Sequence, residues 1–414
     1  MNECDSLFAA QEARHRRFAA TWGTLVRLHG TPPSLEKVAA IVAERLGGLP
    51  ALRLASSDPS CHRPRWRLRD DLDPRDHIAA VSTGTGPDAL RRTVGDLLGR
   101  RIAADSPPWR LEILSGHSDE EFALLLRFNH ALLDGVSGTL LLRQLLSPTA
   151  PSGLLSPRRP VPSRGSVRGL LSALGELRTP AQPLPVNVPS SPFRHVVWVD
   201  VPWEVAEAAR GPAGAHRPTL NDVYLAAVSG ALRRIMPGVP AGPAFAIVPV
   251  NVRSPESSSA LGNCVSVLRT PLPVGLAQPA GRLAAVHAAT SRAKGRDHAT
   301  GLALLPRAAN VSGTTARSLL ARFMYSPRVG NLVCSNAPIT REPLELAGRP
   351  VMQVVTMTVL PQSHGLSVML HGYGDIITVS VLTDARRSEI AELFAQELRQ
   401  EFYILANGHC PPAP

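Results

Sequence analysis

A proline-rich segment between residues 147 and 191 constrains the fold of this chain more than any other feature of its sequence. Its nine prolines are too closely spaced for a continuous helix or a central strand. They stand at positions 148, 151, 157, 160, 162, 180, 183, 185 and 189. The segment predicts a basic linker with one short helix over Val167–Leu177. We therefore expect an N-terminal unit over residues 1–146, a linker over 147–191 and a C-terminal unit over 192–414.

The length and composition of the chain agree with two folded units. At 414 residues the chain is longer than one core usually allows, because domains cluster near about 100 to 200 residues. Hydrophobic residues make up 44% and charged residues 19%, which favours a packed globular protein and excludes general disorder. Aromatic residues make up only 4%, so a surface that stacks RNA bases is not expected.

The spacing of apolar residues predicts mixed helix and strand in both units, which makes the fold class α/β or α+β. In the N-terminal unit we expect a helix over Leu35–Leu46, and a buried strand over Glu121–Phe128 followed by a polar loop and a second helix. In the C-terminal unit we expect a helix from Thr219 to Arg234 and a closing helix over Arg387–Leu405. The expected strands of that unit are Arg194–Val201, Ala244–Val250, Asn263–Arg269, Asn331–Ser335, Val351–Val359, Leu366–His371 and Ile376–Leu382.

The charge balance favours an anionic partner. The formal net charge is +11, and all the basic residues except Lys37 and Lys294 are arginines. The planar guanidinium suits phosphate and carboxylate groups, so CoA phosphates, an acidic carrier protein and anionic lipid headgroups are all candidates. Nucleic acid is not expected, because the arginines are spread along the chain and no base-reading motif accompanies them.

The cysteines and the apolar runs indicate in which cellular compartment the protein resides. Cysteines at positions 4, 61, 264, 334 and 410 are odd in number and have no close pairs, which predicts reduced thiols rather than a disulfide framework. The first 20 residues mix acidic and basic side chains and do not resemble a signal peptide. No run of 18 apolar residues occurs. We expect a cytoplasmic protein, and peripheral contact with a membrane is left open.

His130 is the strongest candidate for chemistry. It ends the apolar strand and is followed by Asp134 and Gly135. A histidine that titrates near neutrality can take a proton from a nucleophile, and the glycine would let the backbone turn sharply to aim the imidazole. The alternative is a buried histidine that a nearby carboxylate satisfies. Local sequence leaves both readings open.

Other kinds of site fit the sequence poorly. A zinc site needs more ligands than His130 and Asp134 supply, so no metal is expected. Gly135-Val136-Ser137-Gly138 misses the GxSxG spacing of a serine hydrolase by one residue. The glycine pairs at 84/86 and 372/374 lack the later glycine or lysine of a phosphate-binding loop, so no nucleotide cofactor is expected.

Several motifs together carry a family resemblance. The sequence NHALLDG at 129–135 resembles the HHxxxDG motif of the CoA-dependent acyltransferase superfamily. Pro108-Trp109 resembles the PLW element, and PTLNDVYLAAVSGALR at 218–233 the ND helix, of wax ester synthase/diacylglycerol acyltransferases. VPVNVR at 248–253 resembles the following strand and CSNAP at 334–338 the SNVPGP turn. The resemblance to this family extends from about residue 7 to about residue 405.

The resemblance implies a fold and a mechanism. It implies two chloramphenicol-acetyltransferase-like subdomains with a tunnel between them that admits acyl donor and acceptor. His130 occupies the place of the general base, which would take the acceptor's proton during direct attack on a thioester. Asp134 occupies a structural place, and we expect it to pair with Arg253, although Arg253 could equally be a surface arginine. Acyl-CoA would serve as co-substrate, without a further cofactor.

The resemblance also suggests substrate-binding residues. Asn129 replaces the first histidine of the motif, a place that is not the usual base. Trp109 would line a substrate pocket, with a core tryptophan as the alternative. Asn221 is a further candidate for substrate binding, with the alternative that Asn221 and its neighbour Asp222 serve to start a helix. Ser335 and Asn336 are nominated as donors to the oxyanion.

The sequence thus predicts an acyltransferase that moves an acyl group from acyl-CoA to an alcohol, with long-chain alcohols or diacylglycerol as the family's usual acceptors. A first alternative is a tailoring enzyme that acylates a hydroxyl or amine of a small natural product, with CoA or an acyl carrier protein as the donor. A second alternative is a non-catalytic binding scaffold, against which the intact His130, Asp134 and Gly135 speak.

Overall fold

The computed structural model describes residues 1–15, 18–57, 65–103, 105–149, 155–156, 158–214, 216–236, 238 and 242–408. The first unit and the linker contain helices α1 (Glu3–Arg14), α2 (Leu35–Leu46), α3 (Pro87–Gly99), α4 (Gly135–Leu146) and α5 (Val167–Glu176). Their strands are β1 (Thr21–His29), β2 (Leu54–Ser56), β3 (Trp66–Leu68), β4 (Ile78–Ser82), β5 (Trp109–Ser115) and β6 (Glu121–Asn129).

The second unit is equally mixed. Its helices are α6 (Trp203–Ala208), α7 (Leu220–Ile235), α8 (Pro279–Gly295), α9 (His298–Leu302), α10 (Leu304–Ser312), α11 (Thr314–Met324) and α12 (Ser388–Asn407). Its strands are β7 (Arg194–Pro202), β8 (Ala244–Asn251), β9 (Val265–Leu272), β10 (Leu332–Asn336), β11 (Glu345–Leu346), β12 (Arg349–Met357), β13 (Leu366–Tyr373) and β14 (Ile376–Asp384). The predicted mixed fold class is confirmed.

Two six-stranded sheets organise the chain. The first has the order β11-β12-β1-β6-β5-β4 and the second the order β7-β14-β13-β10-β8-β9. Helix α7 packs on the second sheet and against α8 and α12, so that residues 222–232 are all buried. Thr219 caps this helix in a capping box with Asp222, as the sequence indicates.

The sheets do not follow the expected division of the chain at the linker. Strand β12 lies after the linker in sequence, yet it pairs antiparallel with β1 in the first sheet. Its Val351 and Val354 are buried in the core of the N-terminal unit. Local sequence does not show which half of the chain buries these side chains. Because they are buried in the N-terminal unit, residues 345–357 belong to the first sheet although they follow the linker in sequence.

Helix α1 is absent from the sequence-based predictions. Asn2 caps it and forms a capping box with Asp5, but its apolar residues do not follow a clear helical stripe.

Among the helices of the described residues, none is both long and apolar enough to cross a membrane.

Candidate active site

His130 stands directly after β6, at the junction of the two halves. Its backbone N–H donates to the carbonyl of Ala20 at 2.6 Å, which ties the strand end to the residue before β1. The loop then passes to Asp134, which caps α4 by accepting a bond from the Ser137 N–H at 3.0 Å. The apolar strand and the capped helix therefore hold the imidazole between two rigid elements.

Asp134 forms the ion pair with Arg253 that the sequence suggested. The Arg253 Nη1 donates to Oδ2 of Asp134 at 2.8 Å and Nη2 donates to Oδ1 at 2.9 Å. Both side chains are buried, and Asp134 also accepts a bond from the Cys264 N–H. Arg253 donates further to the Ser137 hydroxyl and the Gly262 carbonyl. This bidentate pair joins the His130 loop to the second half of the chain.

Asn263 holds the backbone of the same loop and is absent from the sequence-based predictions of the site. Its amide Nδ2 donates to the carbonyl of His130 at 2.6 Å and to that of Ala131 at 3.0 Å. It also donates to the Asp5 carboxylate at 3.0 Å. The only local signal is a polar residue after Gly262, at the start of an apolar strand. Its importance follows from contacts more than 130 residues away in sequence.

Helix α1 covers one face of the imidazole. The Phe8 ring stacks on the His130 ring with 4.0 Å between the centroids and 14° between the planes. The helix is fastened by Asp5, a fully buried carboxylate that accepts bonds from Arg159 Nη2 and Trp66 Nε1, each at 2.8 Å. Phe8 therefore shields His130 from water on that face.

Asn129 fastens the other end of α1. Its Nδ2 donates to Glu12 at 2.6 Å and its Oδ1 accepts a bond from the Ala131 N–H at 2.9 Å. Burial raises the pKa of Glu12, although its bonds with the Ala20 N–H and with Asn129 oppose the shift. Both polar atoms of Asn129 are thus engaged within the protein, in contrast to the substrate contact suggested for this residue.

The environment of His130 favours the neutral imidazole. Burial lowers its pKa below the ordinary value, and the nearby Asp134 carboxylate opposes the shift only in part. Nδ1 is buried and makes no hydrogen bond within the described residues, while the residue as a whole stays partly accessible. A neutral, partly accessible imidazole can accept a proton near pH 7.

Cavities lie on both sides of α1. One is lined on the α1 side by Leu7 and Phe8. The other is lined by Glu12 of α1 and by Asn129 and Ala131, the two neighbours of His130. The continuous tunnel implied by the family resemblance stays a prediction, since α1 separates these two spaces. Within the described part of the chain, no group of three or more His, Cys, Asp or Glu side chains is placed to hold a metal ion.

Trp109 lies in the core of the first unit. Its indole N–H donates to the Leu52 carbonyl at 2.9 Å, and its ring stacks on His77 with centroids 4.4 Å apart. Only 4% of the residue is exposed. These contacts support the alternative of a core tryptophan over the suggested wall of a substrate pocket.

Asn221 and Asn336 meet, although 115 residues separate them. The Asn336 Nδ2 donates to Asn221 Oδ1 at 2.6 Å, which brings the start of α7 to the end of β10. Asn336 is exposed, whereas its neighbour Ser335 is buried. Asp222 is fully buried and accepts bonds from Thr290 and His287, so it supports the helix start.

The expectation that Gly135 lets the backbone turn sharply was wrong. Gly135 is the first residue of α4 and its φ lies outside the left-handed region. The chain changes direction through Asp134, whose backbone is extended at φ −94° and ψ 176°. The capping bond of Asp134, and not the freedom of glycine, therefore shapes this turn.

We expect Gly135→Ala to be tolerated. A Cβ at this position would lie 3.8 Å from Met369 Cε, an ordinary contact, so the free energy of unfolding should stay within about 1 kcal/mol of the parent. Gly138→Ala is the matched contrast, because its Cβ would lie 2.1 Å from Trp22 Cη2 and should cost about 1–3 kcal/mol. Chemical denaturation of both variants measures the difference. Equal stability of the two would contradict this account.

Two models of one family together match most of the chain. Residues 1–191 match the wax ester synthase/diacylglycerol acyltransferase catalytic domain, and residues 261–406 match the WS/DGAT C-terminal domain. A Mycobacterium tuberculosis protein named "Probable diacylglycerol O-acyltransferase" is 27% identical over 92% of this chain and 90% of its own length. A second M. tuberculosis relative, named "Putative diacylglycerol O-acyltransferase", is 29% identical over 77% of this chain and 78% of its own length.

Solved structures share the fold. The wax ester synthase/diacylglycerol acyltransferase from Marinobacter aquaeolei VT8 aligns with a TM-score of 0.67 at 20% identity, covering 98% of this chain and 99% of that one. The first condensation domain of the calcium-dependent antibiotic synthetase aligns with a TM-score of 0.70 at 14% identity, covering 98% and 95%. At such identities these structures establish the architecture of the chain.

Proposed function

Because the chain belongs to the wax ester synthase/diacylglycerol acyltransferase family and is an acyltransferase, we propose that it transfers an acyl group from a CoA thioester to the hydroxyl of an alcohol or a diacylglycerol, with His130 as the general base. One observation carries the assignment of the base. His130 is held at the junction of the halves by Asn263 and by the adjoining Asp134–Arg253 pair, and burial keeps its imidazole neutral.

In the proposed reaction, His130 accepts the proton of the acceptor hydroxyl while its oxygen attacks the thioester carbonyl. The tetrahedral oxyanion then collapses, the carbon–sulfur bond breaks, and the leaving CoA thiolate takes the proton from the imidazolium. The ester and free CoA leave, and His130 is again neutral.

Direct transfer is favoured over an acyl-enzyme by the state of the thiols. Burial raises the pKa of Cys4 to about 12 and that of Cys264 to about 11, and it also raises the pKa of Cys334. These three thiols of the described residues would therefore be almost wholly protonated near neutral pH, and a thiol is a poor nucleophile in that form. The thioester is already activated and needs no covalent intermediate.

The oxyanion needs a hydrogen-bond donor, and Asn336 and Ser335 stay our candidates. Asn336 carries an exposed amide at the end of β10, and its bond to Asn221 limits the directions in which that amide can turn. Loss of one such donor typically costs about 3–4 kcal/mol in the transition state.

A thiol-release assay tests the proposed function. Several acyl-CoAs are crossed with long-chain alcohols, diacylglycerol and small amines, and the acylated product is identified by mass spectrometry. Turnover with alcohols or diacylglycerol is the expected result. Turnover with small amines alone would favour a tailoring enzyme. If none of the acceptors in the panel gives release of CoA, the proposal is contradicted.

We expect Phe8→Ala to move the pH profile of the reaction. The base must be neutral, so kcat/KM falls as pH drops below the pKa of His130. Burial lowers this pKa, and removal of the stacked ring admits water, which raises the pKa towards its ordinary value. The acidic limb of the kcat/KM profile should therefore shift to higher pH. Phe193→Ala, at an exposed phenylalanine, is the control, and an unchanged acidic limb in Phe8→Ala would argue against this role of Phe8.

A further inference from the structure

His130 and Asn263 each bury one polar atom that lacks a partner. Nδ1 of His130 and Oδ1 of Asn263 make no hydrogen bond within the described residues, and both atoms are closed to solvent. In a neutral imidazole, one ring nitrogen carries a proton and the other accepts one. Buried polar groups are nearly always paired, because an unmade hydrogen bond is costly. The two atoms are complementary if the proton of the imidazole resides on Nδ1.

The contacts of the Asn263 amide leave its oxygen as the free atom. Nδ2 lies against three acceptors, namely the carbonyls of His130 and Ala131 at 2.6 and 3.0 Å and the Asp5 carboxylate at 3.0 Å. None of these three partners has a hydrogen to give, so the amide cannot be turned over to place its oxygen there. Oδ1 is therefore the atom that remains to accept a bond.

The Asn263 side chain already acts on the imidazole. Burial lowers the pKa of His130, and four groups oppose this shift, namely the His130 carbonyl, Asp134, the Asn263 side chain and Asp5. Asp134 and Asp5 act by their charge, whereas an uncharged amide acts by accepting a hydrogen bond from the ring. The contact falls short of a full hydrogen bond in this structure, and a rotation of the imidazole closes it.

The buried ion pair fixes the backbone on both sides of Asn263. The Gly262 carbonyl accepts a bond from Arg253 Nη2 at 2.8 Å, and the Cys264 N–H donates to Asp134 Oδ2 at 2.9 Å. Only 1% of Asn263 is exposed. The Asp134–Arg253 pair therefore holds the Asn263 amide in place beside the His130 loop.

Resting on the proposed function, we propose that Asn263 is a positioning residue whose Oδ1 accepts a hydrogen bond from Nδ1–H of His130, so that Nε2 takes the proton of the acceptor. The bond made by one ring nitrogen decides which nitrogen is free to act as a base. Nδ1 is closed to solvent, so a substrate can reach only Nε2. During transfer Nε2 gains the hydroxyl proton and returns it to the CoA thiolate, while the proton on Nδ1 stays in its bond with Asn263.

The position of the imidazole proton in the parent enzyme tests the proposal directly. Protein containing isotope-labelled histidine is studied by long-range proton–nitrogen correlation NMR at a pH above the pKa of His130. The signals that are missing from His130→Ala identify this ring. We expect the proton on Nδ1, and a proton on Nε2 overturns the proposal. The measurement needs no turnover, so its result stands even if the proposed acyl transfer fails in every assay.

Two variants of Asn263 separate its acceptor oxygen from its other contacts. Asn263→Ala removes the oxygen, and we expect the ring to lose its preference for a proton on Nδ1. Its kcat should fall about tenfold, the size of one hydrogen bond, with little change in KM. Asn263→Asp keeps an acceptor oxygen and adds a negative charge, which raises the pKa of His130. The Nδ1 proton should persist there, and the acidic limb of the kcat/KM profile should move to higher pH.

Asn331→Ala is the matched control for the loss of a buried amide. Asn331 is fully buried, and its side chain donates to the Gln182 carbonyl at 2.7 Å and accepts a bond from the Phe245 N–H at 2.8 Å. This variant should lose stability but keep the tautomer and the pH profile of the parent. Asn263→Ala with the parent's tautomer and kcat would show that the His130 carbonyl suffices as acceptor, which overturns the proposal. If Asn263→Ala does not fold, an unchanged acidic limb in Asn263→Asp overturns it instead.

Discussion

The variant His130→Ala is expected to lose about 10²- to 10⁴-fold in kcat/KM for ester formation, the usual contribution of a positioned general base. The loss should appear with every acyl-CoA and acceptor that the parent uses, because proton transfer from the hydroxyl is common to all of them. Thermal unfolding should change little. The ring makes no hydrogen bond through Nδ1 within the described residues, and the bonds that hold the loop use the backbone of His130.

The control for this variant lies on the same sheet. His29 is an exposed histidine at the far end of β1, whereas Ala20, which binds the His130 N–H, precedes that strand. His29→Ala should keep the activity of the parent. Retention of turnover in His130→Ala at its parent melting temperature would refute the assignment of the base. A lowered melting temperature together with lost activity would instead point to a structural role.

Asp134→Ala and Arg253→Ala are each expected to lower the free energy of unfolding by about 3–5 kcal/mol, because either change leaves an unpaired charge in the interior. Asp134→Ala also removes the cap of α4, worth about 1 kcal/mol. Activity should fall with stability, since the pair joins the His130 loop to the second half of the chain. Denaturant titration and the thiol-release assay measure the two effects.

Two further variants distinguish the effect of breaking the buried Asp134–Arg253 pair on stability from the effect of removing any charged side chain. The double variant Asp134→Ala/Arg253→Ala removes both charges and should be less destabilised than the sum of the single variants. Arg143→Ala breaks a pair with Glu342 whose side chains are 38% and 34% exposed, and solvent screening should limit its cost to about 1 kcal/mol or less. Single variants at Asp134 and Arg253 that match Arg143→Ala in stability would show that the buried pair contributes little.

Local sequence predicted most of the regular elements because their signals are local. The helix over Leu35–Leu46 begins and ends as its apolar spacing indicates, and the Ser34 side chain caps it. The strand before His130 and the capped helix after Thr219 also form as predicted. Periodicity and capping depend on neighbours a few residues apart, which the sequence displays directly.

The cover over His130 could not be predicted in this way. Helix α1 has a weak apolar stripe, and Phe8 contacts a residue 122 positions away in sequence. The same holds for Asn263 and for the bond between Asn129 and Glu12. Nothing near these residues in sequence indicates their partners, so the motif around His130 identified the loop but not what encloses it.

The sequence by itself determined the family motifs, the position of the candidate base and most of the helices and strands, because each of these rests on residue types and short spacings. Only the tertiary structure decided that β12 returns to the first sheet, that Trp109 belongs to the core and that α1 lies against His130. Those outcomes depend on which apolar surfaces bury one another between segments that are far apart in the chain, which short spacings do not show.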